Sequence, residues 1–162
     1  MILGVGLDVC EVARIRRALE APTGARFRAR VFTDEEQVYC EARRRGRFAS
    51  YAARFAAKEA AMKALGTGWA RGVAWRDFEV LRATGDAPRL VVHGHAATIA
   101  RRAGIGRWLL ALSHTADSAV ASVIAESAPP GASRLSGAAA PAPRPRRGGA
   151  GRSGRRRPRR RR

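Results

Sequence analysis

The chain has 162 residues, which suits a single hydrophobic core at roughly 100 to 200 residues per domain. Its 32 Lys plus Arg against 13 Asp plus Glu give a formal charge of +19, unevenly placed: no acidic residue follows Glu126, and the 36 residues Ser127 to Arg162 hold 12 arginines, which leaves residues 1–126 at +7. No apolar run approaches the roughly 18 residues of a membrane span, the opening Met1-Ile2-Leu3-Gly4-Val5 lacks the basic start and cleavage site of an export signal, and Cys10 and Cys40 form no CxxC or metal-spaced cluster, so a reduced, cytoplasmic setting is expected.

In chain order, Ile2 to Leu7 reads as a buried strand ending at Asp8. Val12, Ile15 and Leu19 follow at helical spacing with Arg14, Arg16 and Arg17 off the stripe, which predicts a basic-faced helix from about Glu11 to Glu20. Thr33 with Glu36 three residues on makes a capping box for a short helix to about Ala42. An Ala-rich helix is expected from Phe48 to Leu65, with Gly66 placed to end it in the left-handed conformation. Phe78 to Leu81 and Leu90 to His93 read as a hairpin about a Gly85-Asp86-Ala87-Pro88 turn. Ala96 to Ala103 reads as a helix closed by Gly104, and Trp108 to Leu112 and Ala119 to Ile124 as strands flanking Ser113-His114-Thr115. The pattern is α+β, one domain over residues 1–126. The Ala, Pro, Gly and Arg of residues 127–162 offer few large apolar groups against the entropy of ordering, so that tail is expected to be disordered.

This Arg-dominated chain has only two lysines, Lys58 and Lys63, which bracket Glu59. A compact, mobile ammonium suits a point contact to phosphate or a proton donor better than a guanidinium does, so both are candidates. Glu59 and Lys63 are equally an i, i+4 pair of the kind found on solvated helix faces. Asp8 could meet Glu59 if the long helix crosses the sheet, giving two hard oxygen ligands suited to Mg2+ and phosphates; it could as well cap the following helix. Gly4-Val5-Gly6 and Gly66-Thr67-Gly68 complete neither GxGxxG nor a GK[ST] loop. His93-Gly94-His95 would place both rings on one side of a strand but has too few neighbouring ligands for zinc. His114 is better placed to face a cleft, and Ser113 lacks the elbow motif of a nucleophile.

Gly4-Val5-Gly6-Leu7-Asp8-Val9 with Glu11 and Arg14-Ile15, Phe32-Thr33 with Glu35-Glu36, the run from Arg54 through Lys58-Glu59 and Lys63 to Gly68, Trp75 with Asp77 to Val80, and Leu112 to Thr115 occur in one order. In that order they resemble the holo-[acyl-carrier-protein] synthase family, the small bacterial 4′-phosphopantetheinyl transferases. The resemblance covers the body and departs from the pattern at Ser118, where an aromatic is common, and by one extra residue at the Pro88 turn. It implies a fold of helices packed on a mainly antiparallel sheet. It also implies transfer of the phosphopantetheine arm of coenzyme A to a serine of apo acyl carrier protein, in fatty acid biosynthesis, by a homotrimer with sites at subunit interfaces.

In the matching positions Asp8 and Glu59 would hold Mg2+, and Lys63 would act on the phosphate and leaving group. Lys58, Arg54, His114 and the Gly66, Thr67 and Gly68 loop would line the coenzyme A site, and Arg14, Arg17, Arg28 and Arg30 would meet the acidic carrier. The Arg-rich tail lies outside the resemblance. It supports the competing reading of a nucleic-acid or polyanion-binding protein held by counterion release, which lacks a recognised motif and interleaved aromatics.

Overall fold

The computed structural model describes residues 1–82 and 86–128. Five strands and five α-helices follow in the order β1 (Ile2–Glu11), α1 (Val12–Glu20), α2 (Gly24–Val31), α3 (Asp34–Ala42), α4 (Arg47–Leu65), β2 (Phe78–Leu81), β3 (Arg89–Val92), α5 (Gly94–Arg102), β4 (Ile105–His114) and β5 (Ser118–Ser127). A three-stranded antiparallel sheet has the order β1-β5-β4, and β2 and β3 form a separate antiparallel hairpin. Of the expected turn, Gly85 falls outside the described residues; of the tail expected from residue 127, Ser127 instead ends β5, its N–H donating to the Met1 carbonyl at 2.8 Å, while residues 129–162 lie outside the described residues.

Helix α4 is the axis of the core. Its alanines 52, 53, 56, 57, 60, 61 and 64 are buried, and the strand residues facing it are also small: Cys10, Ala119, Ala121, Val123 and Ala125. Small side chains on both surfaces let backbones approach closely, and the gain is close-packed contact rather than bulk. Gly66 ends α4 at φ +75°, where a Cβ would be strained, and its N–H donates to the Lys63 and Met62 carbonyls. Larger groups, Phe32, Tyr51, Phe78 and Met62, fill the space between α4 and the outer helices and hairpin.

Three expectations change. β1 runs on to Glu11 because it pairs with β5 as far as Glu11↔Ser118, so Asp8 lies within the strand and does not cap a helix. Only one face of β1 is buried: Val5, Leu7 and Val9 alternate outward and are 62%, 58% and 59% exposed. His93 does not continue β3 but precedes α5, and Gly94 at φ +52° turns the chain there, so the two rings do not share a strand face. Helix α2, with three apolar-to-basic alternations in GARFRARV and no side-chain cap at Thr23, gave no helical signal in the sequence.

Candidate functional site

Asp8, Glu59 and Lys63 come together where β1 crosses α4. Gly4 and Gly6 make that crossing possible, because a Cβ on either would overlap the carbonyl of Ala64 or Ala60 on the helix. Lys63 Nζ donates to the Leu7 carbonyl at 2.9 Å and to Asp8 Oδ1 at 2.8 Å. The other oxygen, Asp8 Oδ2, is buried with no hydrogen-bond partner. Burial first, and then the neighbouring Asp8 carboxylate, push the Glu59 pKa up, and the Arg14 and Lys63 charges only partly offset them. Two carboxylates that repel each other, one with an unpartnered oxygen, with an ammonium alongside, form an incomplete electrostatic group open to a cation or a phosphate.

Arg54 and His114 belong to a second region. With Tyr39, Arg43, Arg82 and Ser113 they line a cavity of about 480 Å³ between the start of α4 and the end of β4. The Arg54 guanidinium stacks 4.0 Å from the Tyr39 ring centroid and donates to the Ser50 carbonyl at 3.3 Å, while its buried Nε has no partner. A neighbouring cavity of about 950 Å³, lined by Arg16, Arg45 and Phe48, shares His114 and Gly46 with it. Neither cavity includes Asp8, Glu59 or Lys63. Gly66, Thr67 and Gly68 follow Lys63 at the C-terminal end of α4, where the Thr67 hydroxyl donates to the Gly68 carbonyl at 3.1 Å.

Lys58 does not line a coenzyme site within this chain. Its ammonium is fully buried, 2.8 Å from the equally buried Glu36 carboxylate, and donates to the Trp75 carbonyl at 3.1 Å and to the Phe78 carbonyl. All three ammonium protons are therefore used internally. Burial, opposed by Glu36, holds its pKa below the ordinary lysine value.

A third feature joins basic and aromatic side chains. Arg14, Arg26 and Arg30 surround a pocket of about 410 Å³ whose walls include Phe27, Phe55, Trp69 and Trp75. Arg14 lies 5.3 Å from the Phe55 centroid and Arg30 lies 5.0 Å from that of Trp69. Arg28 is instead engaged with Glu41 at 3.4 Å, and Arg17 lies outside the pocket lining. Sequence reasoning missed Arg26, Phe27 and Trp69 and gave Trp75, a residue of the matching motifs, no role; the spacing of Phe27 and Val31, once α2 is known, is the signal that would have found Phe27. His93 pairs with Glu79 Oε2 at 2.9 Å, and among the described residues no group of three or more His, Cys, Asp or Glu is arranged to hold a metal.

A family model described as the 4′-phosphopantetheinyl transferase superfamily matches residues 4–121. The chain is 56% identical over 132 residues to a holo-[acyl-carrier-protein] synthase of Anaeromyxobacter dehalogenans, covering 80% of this chain and 100% of that one. It is 48% identical over 126 residues to the Solibacter usitatus synthase, covering 78% and 99%. Among solved structures, the Neisseria meningitidis synthase superposes with a TM-score of 0.68 at 33% identity over 78% of this chain and 99% of that chain. The Bacillus anthracis synthase, solved in complex with CoA (3′,5′-ADP), does so with a TM-score of 0.64 at 32% identity over 79% and 99%. The chain belongs to the 4′-phosphopantetheinyl transferase superfamily and, within it, to the holo-[acyl-carrier-protein] synthase family.

Proposed function

We infer that the chain transfers the 4′-phosphopantetheine arm of coenzyme A to a serine hydroxyl of apo acyl carrier protein, and the observation that carries the site is the meeting of Asp8, Glu59 and Lys63. The serine hydroxyl gives up its proton to solvent as its oxygen attacks the phosphorus next to the pantetheine. The bond from that phosphorus to the bridging oxygen breaks, and adenosine 3′,5′-bisphosphate leaves with the electron pair. Such a step needs positioning and charge neutralisation more than covalent help. Lys63, half exposed and held by Asp8 and the Leu7 carbonyl, is oriented to offset charge on the leaving phosphate.

The donor set fits a hard divalent cation. Asp8 Oδ2 is buried and orphaned, Glu59 is held against it, and both ligands are carboxylates, as Mg2+ sites that retain water and phosphate oxygens favour. Asp8 and Glu59 would hold Mg2+, which when bound supplies positive charge to the pyrophosphate.

Arg54 and His114 would take the remaining anionic part of coenzyme A, since the Arg54 Nε is an unsatisfied buried donor beside their cavity. Their separation from Asp8 and Glu59 within one chain favours a site completed between subunits of a homotrimer. The outward row Leu3, Val5, Leu7 and Val9 on β1 offers an apolar face for that contact. Arg14 and Arg30, with the aromatic pocket between them, would receive the acidic carrier; Arg17 and Arg28 would add to the surrounding field.

An acyl carrier protein substrate implies fatty acid biosynthesis in the cytoplasm, in keeping with the free, buried thiols of Cys10 and Cys40. No helix among the described residues is long and apolar enough to cross a membrane. Residues 1–126 form the transferase domain in this reading, and the Arg-rich segment beyond it is dispensable for the reaction.

Incubating the purified chain with apo acyl carrier protein, coenzyme A and Mg2+, with a chelator control, and following the carrier's intact mass tests the reading. A metal-dependent gain of one phosphopantetheine arm, retained after deletion of residues 129–162, is expected. Absence of the gain from a folded oligomer overturns the transferase assignment, and its loss on deletion overturns the dispensability of the tail.

A further inference from the structure

The buried pair Lys58 and Glu36 has no part in the chemistry above, yet it is the most fully bonded polar group in the core. Glu36 Oε2 accepts from the Thr33 N–H at 2.9 Å as well as from Lys58, and Oε1 accepts from the Val80 N–H at 2.9 Å. Lys58 in turn donates to the carbonyls of Trp75 and Phe78. The pair therefore fastens the turn from residue 75 to residue 78, and the start of β2, to α4 and α3.

Burying two charges is costly, and an apolar pair of similar volume is commonly as stable or more so. What an apolar pair would lose is direction, because it cannot hold two carbonyls at fixed positions. The element so held is the one that presents Trp75, whose ring stacks on Phe55 at 4.7 Å between centroids with 26° between the planes. Both rings line the basic pocket beside Arg14.

We propose that Lys58, together with Glu36, is a positioning residue for carrier binding: by tying the Trp75 and Phe78 carbonyls to α4 it sets Trp75 against Phe55 and so shapes the aromatic wall of the Arg14 pocket. The proposal rests on the reading of that pocket as the carrier-docking site. Lys58 acts on the partner's side of the reaction without touching coenzyme A or the reacting phosphate.

The test is the double substitution Lys58→Met with Glu36→Leu, which removes both charges together. In the folded oligomer, the KM for apo acyl carrier protein is expected to rise about tenfold, with kcat and the KM for coenzyme A within about twofold of the parent. In a background carrying Trp69→Phe and Trp108→Phe, Trp75 is the remaining tryptophan, and its emission is expected to become more quenchable by acrylamide. An equal loss in kcat and both KM values would mark a merely structural role and overturn the proposal. Unchanged Trp75 quenching overturns it too, whether or not the parent modifies a carrier. Increased quenching in the double variant of a parent that modifies no carrier overturns the carrier-binding role, because only the hold of the pair on Trp75 then remains. Trp75→Ala guards against a double variant that does not fold: it should raise the carrier KM alone, and an unchanged carrier KM overturns the proposal.

Discussion

Gly6 of β1 lies with its backbone directly against the carbonyl of Ala60 on α4, leaving no space for a methyl group between them. That contact sets how near Asp8 comes to Glu59 and Lys63, so it links packing to the site. Gly6→Ala should push helix and strand apart and destabilise the chain by about 3 kcal/mol, the upper end of the usual overpacking cost. Urea unfolding measures it. A loss below about 0.5 kcal/mol would mean that α4 can shift without strain.

Glu59→Gln keeps the shape of the side chain and removes one of two carboxylates beside Lys63. Transferase turnover should fall about 10²- to 10³-fold, as for loss of a major electrostatic contact, while circular dichroism stays unchanged. Turnover within about threefold of the parent, measured with saturating Mg2+, would remove Glu59 from the proposed Mg2+ ligands.

The Glu79 carboxylate gives a pH dependence unconnected with the site. Burial raises its pKa, but hydrogen bonds from Thr33 and His93, with the His93 and Lys58 charges, outweigh that and hold it below the ordinary value of 4.5. The folded state therefore favours the ionised form. Its contribution is present above pH 4.5 and is lost as pH falls through the lower folded value. Glu79→Gln should lower Tm by about 5 °C at pH 7, and the gap should close below pH 4.5. A gap that is constant from pH 7 to pH 3 would show that the carboxylate's charge contributes nothing.

The elements most legible in the sequence were those whose signals are local. The Thr33 and Glu36 capping box is present at the start of α3, and Gly66 ends α4 where its freedom at positive φ is needed. The meeting of Asp8 with Lys63 was not legible from spacing, because it depends on two glycines facing two alanine carbonyls across the core. The roles of the two lysines were also hidden. Five residues of helix separate Lys58 from Lys63 and turn them about 140° apart, but which of them faces out depends on where α3 and β2 close over α4. Helix α2 escaped notice because its arginines mask the apolar pair Phe27 and Val31 and no side chain caps its start.

The outward face of β1 makes a prediction that separates folding from assembly. Val5 is 62% exposed and pairs across the sheet with Ile124, so its side chain adds little to the core of a single chain. Val5→Asp should therefore change the stability of the isolated fold by no more than about 0.5 kcal/mol. If β1 faces of neighbouring copies meet, the same carboxylate must be buried there without a partner, at a cost that an apolar interface cannot offset. Light scattering after gel filtration should show the proposed trimer replaced by monomer. Transferase activity should fall with it, because the Arg54 and His114 cavity would no longer be joined to the Asp8 and Glu59 group of a neighbour. A Val5→Asp chain that remains trimeric would place the subunit contact elsewhere, and a monomer with full activity would show that one chain holds the complete site.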